Sequence, residues 1–199
     1  MAPGRVVFTG SRRVEAEEEG QIRDGYISLS ADGSAFAAIP VDGEGAGQVG
    51  ENTLVDTTIV NVELVTSWAA YRAGEWGSAH LVAGIIDADT PDGAPGSELT
   101  LVNADSGRVR KAARTRTISG YAPSTMLPID LGAVQTLQQR LSAAHIMLCG
   151  LFQEFGIAEP PRLLPDGTLI EWEYSSSWHS TVRGWAQSNG VPSLPHRPR

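Results

Sequence analysis

Leu131, Val134, Leu137, Leu141, Ala144, Leu148, Leu151 and Phe155 recur in steps of three and four, and no other stretch of the chain constrains its backbone so firmly. That spacing lines the apolar side chains along one face of an α-helix. Asp130 stands before the stripe as a natural N-cap, Gly156 supplies a stop, and Pro160-Pro161 forbid continuation. One long helix near 131–155 is therefore expected. Its second half, 143–152, is apolar nearly all round apart from His145, which predicts burial on most sides.

The partner of that helix is read from the first 120 residues. Residues 5–9 (RVVFT) read as a short strand, and 26–30 and 35–41 flank Ala31-Asp32-Gly33-Ser34, whose Asp-Gly pair predicts a hairpin turn. Residues 42–52 read as a Gly-rich loop. The run 55–68 is rich in Val, Thr, Ile and Leu and reads as a long strand, with a short helix or turn at 69–75. Residues 80–88 and 98–103 flank a Pro/Gly/Asp loop as a second hairpin, and 109–119 read as a further strand.

Beyond the helix, Asp166-Gly167 turns into a one-sided strand at 168–174. A short helix follows at 177–189, closed by Asn189-Gly190, and the tail 191–199, with three prolines, is expected to fray. The expected fold class is thus α+β: a strand-rich N-terminal sheet or partly open barrel of hairpins, packed by one long helix, then a strand and a short C-terminal helix. A chain of 199 residues suits one core, so 1–190 is expected to form a single domain.

Composition narrows the function classes. With 41% hydrophobic and 19% charged residues the chain is globular, and no apolar stretch approaches the ~20 residues of a bilayer span. Met1-Ala2-Pro3-Gly4-Arg5 lacks the basic and apolar regions of a secretory signal, and the single cysteine, Cys149, excludes an internal disulfide. A cytoplasmic setting without a membrane partner is expected. The formal net charge of −8 argues against bulk binding of duplex nucleic acid.

Against that acidic background, Arg108, Arg110, Lys111, Arg114 and Arg116 put five cations into nine residues. In a strand the four arginines share one face. That face is then solvated, paired with carboxylates such as Glu171 and Glu173, or docked on an anionic partner. Trp172 and Tyr174, alternating with those glutamates, mark an edge strand suited to an interface.

The other motifs carry bland readings beside their chemical ones. Gly45-Ala46-Gly47-Gln48-Val49-Gly50 satisfies G-x-G-x-x-G, but the residues after it read as strand where dinucleotide binding needs a helix. Asp87, Asp89, Asp92 and Glu98 offer hard oxygen ligands for calcium in a loop whose middle is displaced by one from the EF-hand pattern. The plainer reading is an acidic hairpin tip. His145 and Cys149, four apart on the helix, could polarise a thiol, but their apolar surroundings favour an inert cysteine, and a metal site would lack two ligands. Ser175-Ser176-Ser177 beside His179 lacks a nucleophile elbow and reads as a helix start.

No convergent catalytic set emerges and no cofactor is expected. The reading that remains is a non-catalytic binding or assembly module acting through its surface in a larger protein complex. One alternative is an accessory nucleic-acid-binding domain using the arginine strip. Another is a small hydrolase or metal-dependent enzyme built on the Asp87 loop or His179.

Overall fold

A computed structural model describes residues 5–13, 22–41, 48–73, 77–85, 98–102, 116–117, 122–174 and 179–195. The fold class is α+β. Strands β1 (Arg5–Arg13), β2 (Ile22–Ser30) and β3 (Ala35–Ala38) form an antiparallel sheet in that order. The β2–β3 turn is the one the Asp-Gly pair predicts. Asp32 Oδ1 accepts the backbone N–H of Ser34 at 2.9 Å, and the backbone N–H of Gly33 donates to the Ser30 carbonyl.

Residues 55–68 are not a strand but lie inside helix α1, Glu51–Ala73. Its buried residues Leu54, Val55, Thr58, Val62 and Thr66 step by three and four, so side-chain burial overrides the β-propensity of the Val and Thr content. Buried Thr66 is accommodated by donating its hydroxyl back to the Val62 carbonyl at 2.6 Å. The end of α1 docks on the first hairpin: Trp68 Nε1 donates to Ser30 O at 3.0 Å, and Arg72 Nε to Ala31 O at 2.9 Å.

The second expected hairpin also fails. Strand β5 (Ser78–Ile85) pairs antiparallel with β8 (Ala122–Asp130), a strand the sequence reading missed. Strand β6 (Glu98–Val102) lies between β4 (Gln48–Gly50), to which it is parallel, and β7 (Arg116–Thr117), to which it is antiparallel. The described strands thus form four small sheets, and no closed barrel exists among them.

The long helix divides in two. Asp130 caps a 3-10 turn, Leu131–Val134, by accepting the N–H of Gly132, and Thr136 then caps α2, Leu137–Glu154, through a capping box with Gln139. At the other end Ile157 N–H reaches Phe152 O and Gly156 N–H reaches Gln153 O, the paired bonds of a Schellman stop. The expected burial of 143–152 is observed, with Ala143, Ala144, His145, Met147, Leu148, Leu151 and Phe152 inside and Ile146 as the outward exception.

The core joins α1 and α2 with the small sheets. Leu54, Val55 and Val62 pack with Leu141, Leu148, Phe152, Leu99, Leu101 and Leu81. Arg140 pins the two helices together, donating to Glu63 Oε1 at 3.2 Å and Ser67 Oγ at 2.6 Å.

The C-terminal strand is shorter than expected. Strand β9 is only Leu169–Ile170, and Glu171–Glu173 wind into a 3-10 turn before α3, His179–Ser188. The segment expected to fray instead buries Val191 and forms β10, Ser193–Leu194, parallel to β9.

Candidate functional site

The structure brings together one group of side chains that the sequence separates. His145 and Cys149 lie one turn apart on α2, as their spacing requires, and Glu159 comes back over them from the loop after the helix stop. His145 Nε2 lies 3.2 Å from Glu159 Oε2. Cys149 Sγ lies 3.6 Å from His145 Nδ1, 3.8 Å from Nε2 and 3.9 Å from Glu159 Oε2. The histidine side chain is only 6% exposed, whereas that of Glu159 is 71% exposed, so the group has one buried wall and one open side.

Its electrostatics are those of a resting thiol beside a neutral imidazole. Burial pushes the His145 pKa below its ordinary value, against the raising effect of Glu159. Burial, reinforced by the Glu159 carboxylate, pushes the Cys149 thiol up. Nucleophilic catalysis needs the opposite arrangement. The sequence shows the His145–Cys149 pair but not Glu159, because nothing in the spacing after Gly156 says that the chain folds back.

A second feature is a surface. On β5 and β8 inward residues alternate with outward ones: Leu81, Ile85 and Ile129 are buried, while Ser78, His80, Val82, Met126, Pro128 and Asp130 are exposed. The register sets Val82 opposite Met126 and His80 opposite Pro128. Val82 is 44% and Met126 62% exposed, so two large apolar side chains face solvent side by side. Open grooves flank Pro128, one toward Gly77–His80 and one toward Ala143 and Ile146 of α2.

Arg108, Arg110 and Arg114 lie outside the described residues, as do Asp87, Asp89 and Asp92. Arg116 sits on β7 opposite Leu99, and Glu98 on β6 opposite Thr117. Glu171 is not an outward strand residue free for the arginine strip. It is 1% exposed and accepts Arg183 Nε at 2.9 Å, Arg183 Nη2 at 2.7 Å and the Ser193 hydroxyl at 2.6 Å, tying α3 and β10 to the 3-10 turn.

Trp172 Nε1 donates to Glu173 Oε1 at 3.0 Å. Tyr174 lies under the Arg162 guanidinium, 4.2 Å from ring centroid to Cζ. Arg162 is itself buried, at a positive φ of 73°, and reaches Asp56 Oδ2 at 3.3 Å. Trp172 and Tyr174 are both half-buried.

The G-x-G-x-x-G run also changes meaning. Helix α1 does begin directly after Gly50, contrary to the sequence reading, but its first residue is Glu51, a buried glutamate. Residues 45–47 of that run lie outside the described residues.

Among the described residues no helix is long and apolar enough to cross a membrane. In comparisons with known proteins, no family model, no curated protein and no solved structure matches the chain.

Proposed function

We propose that this chain is a non-catalytic binding module and that the outward face of the β5–β8 ribbon receives a protein partner. The observation that carries the reading is the Val82–Met126 pair, two apolar side chains opposed across adjacent strands and left in solvent. Apolar side chains kept outward on a strand pair gain their stabilisation only when something covers them. The ribbon has two strands, and among the described residues neither of its outer edges is paired. An extended segment of a partner can therefore add to an edge while its side chains cover Val82 and Met126. Ligand chemistry built on a thiolate nucleophile is disfavoured by the raised pKa of Cys149.

The experiment is a pull-down from native extract with the intact chain and with Val82→Asp/Met126→Asp. A stoichiometric protein captured by the wild type and lost by the double variant, whose melting temperature is unchanged, supports the module. Capture that is unaffected by the double variant refutes this surface. Salt-dependent oligonucleotide binding by the wild type, abolished by Arg110→Glu/Arg114→Glu, would replace the protein partner with nucleic acid.

A further inference from the structure

Apart from the docking face, one cluster gathers donor atoms of three different chemical kinds within a few ångströms of one another. We propose that His145, Cys149 and Glu159 form a binding site for a borderline divalent cation of the zinc class. The three donor atoms all lie within 4.8 Å of one another, and the metal is the chemistry that a nitrogen, a sulfur and a carboxylate oxygen share. Magnesium and calcium, which take all-oxygen shells, do not fit this set.

The dimensions agree with the chemistry. A tetrahedral zinc ion bound at about 2.3 Å by sulfur, about 2.0–2.1 Å by nitrogen and about 2.0–2.2 Å by oxygen holds its donors about 3.6 Å (N to S), 3.4 Å (N to O) and 3.6 Å (S to O) apart. The corresponding separations are 3.8 Å, 3.2 Å and 3.9 Å. The triangle is thus one face of such a tetrahedron to within about 0.3 Å on each edge. The sulfur is almost equidistant from the two ring nitrogens, so loading requires the imidazole to turn until the Nε2 lone pair faces the ion.

The site is also held in place. His145 and Cys149 ride on a helix anchored by buried Ala144 and Leu148, one residue before each of them. Glu159 follows the Schellman stop and precedes buried Pro160, so the chain reversal that presents it is fixed from both sides. Binding replaces the thiol proton: the S–H bond breaks, a metal–thiolate bond forms, and one proton leaves to solvent for each ion bound. Three protein ligands leave the fourth position to water.

The test titrates the intact, chelator-stripped chain with cobalt(II), then displaces it with zinc. The expected result is one equivalent of cobalt with a thiolate-to-cobalt charge-transfer band that zinc abolishes. Cys149→Ser removes the band, and Glu159→Gln, at an exposed position, weakens cobalt affinity by at least about tenfold. Absence of the band at saturating cobalt overturns the proposal. So does a band whose affinity is unmoved by Glu159→Gln, because the thiol would then be taking up metal by itself.

Discussion

Gly167, Gly184 and Gly190 separate three physical effects that a Gly→Ala change usually mixes. Gly184 lies within α3, and a methyl group there would meet nothing within 4 Å. Alanine costs less backbone entropy in a helix, so Gly184→Ala is expected to stabilise by about 0.5–1 kcal/mol. At Gly190 the methyl again meets nothing, but φ is +65°, so Gly190→Ala is charged only with left-handed strain, about 1–2 kcal/mol.

Gly167 combines a φ of +83° with a methyl that would press into the backbone carbonyl oxygen of Gln138 and lie 3.2 Å from its carbon. That oxygen belongs to the first turn of α2 and cannot swing aside as a side chain would. Adding about 1–3 kcal/mol for the overpacking gives a total of about 2–5 kcal/mol. For a chain of this size about 2–4 °C of melting temperature corresponds to each kcal/mol. Thermal and urea unfolding of the three variants should therefore rank Gly184→Ala above wild type, Gly190→Ala slightly below, and Gly167→Ala lowest. If Gly167→Ala melts no lower than Gly190→Ala, the close approach of this turn to α2 is not what fixes the glycine.

Two further outcomes concern helix α2 and its N-cap. Leu148→Ala and Phe152→Ala, at positions fully buried on α2, should each cost about 2–5 kcal/mol in urea unfolding, whereas Ile146→Ala, 47% exposed, should cost far less; equal losses would show α2 to be rotated. Thr136→Ala should lower stability by about 1 kcal/mol, because it removes the hydroxyl that accepts Gln139 N–H, and an unchanged melting temperature would place the helix start elsewhere.

Asp32 and Asp166 are both held below the ordinary carboxylate range, chiefly by the backbone N–H of Ser34 and of Thr168. A lowered folded pKa contributes stability that is present above the unfolded value and lost as pH falls through the folded one. Melting temperature should therefore drop below about pH 4, and Asp166→Asn should flatten that limb when melts are run across the acid range.

The parts of the fold that were legible in the sequence are those where local chemistry and long-range packing agree. Asp32-Gly33 dictates its turn whatever surrounds it, and the α2 stripe is apolar on the very face that the core covers. In helix α1 the local preference of Val and Thr for strands masks the step of four from Leu54 through Thr58 and Val62 to Thr66. Two of those positions are threonines, which do not register as apolar. The capping box Thr136-x-x-Gln139 stands in the sequence six residues after Asp130, which is an equally good N-cap and caps the 3-10 turn instead.

Strand β8 hid behind Pro123 and Pro128, residues tolerated in a strand with a free edge. For the candidate site, the spacing of His145 and Cys149 was visible. The approach of Glu159 was not, since it depends on a chain reversal fixed by tertiary contacts.

The β5–β8 pairing has a kinetic consequence. Ile85 and Ala122 face each other at one end of the ribbon, so the chain leaves and returns at a single point after an excursion of about 36 residues. Closing such an excursion carries a length-dependent entropy cost of about 3 kcal/mol before any strand bond is formed. The ribbon is therefore expected to zip late in folding and to open first in the native state, and its amides should exchange with solvent faster than those of α2. A partner laid along Val82 and Met126 would act as a zipper lock, slowing exchange at β5 and β8 together even though the two strands lie far apart in the chain.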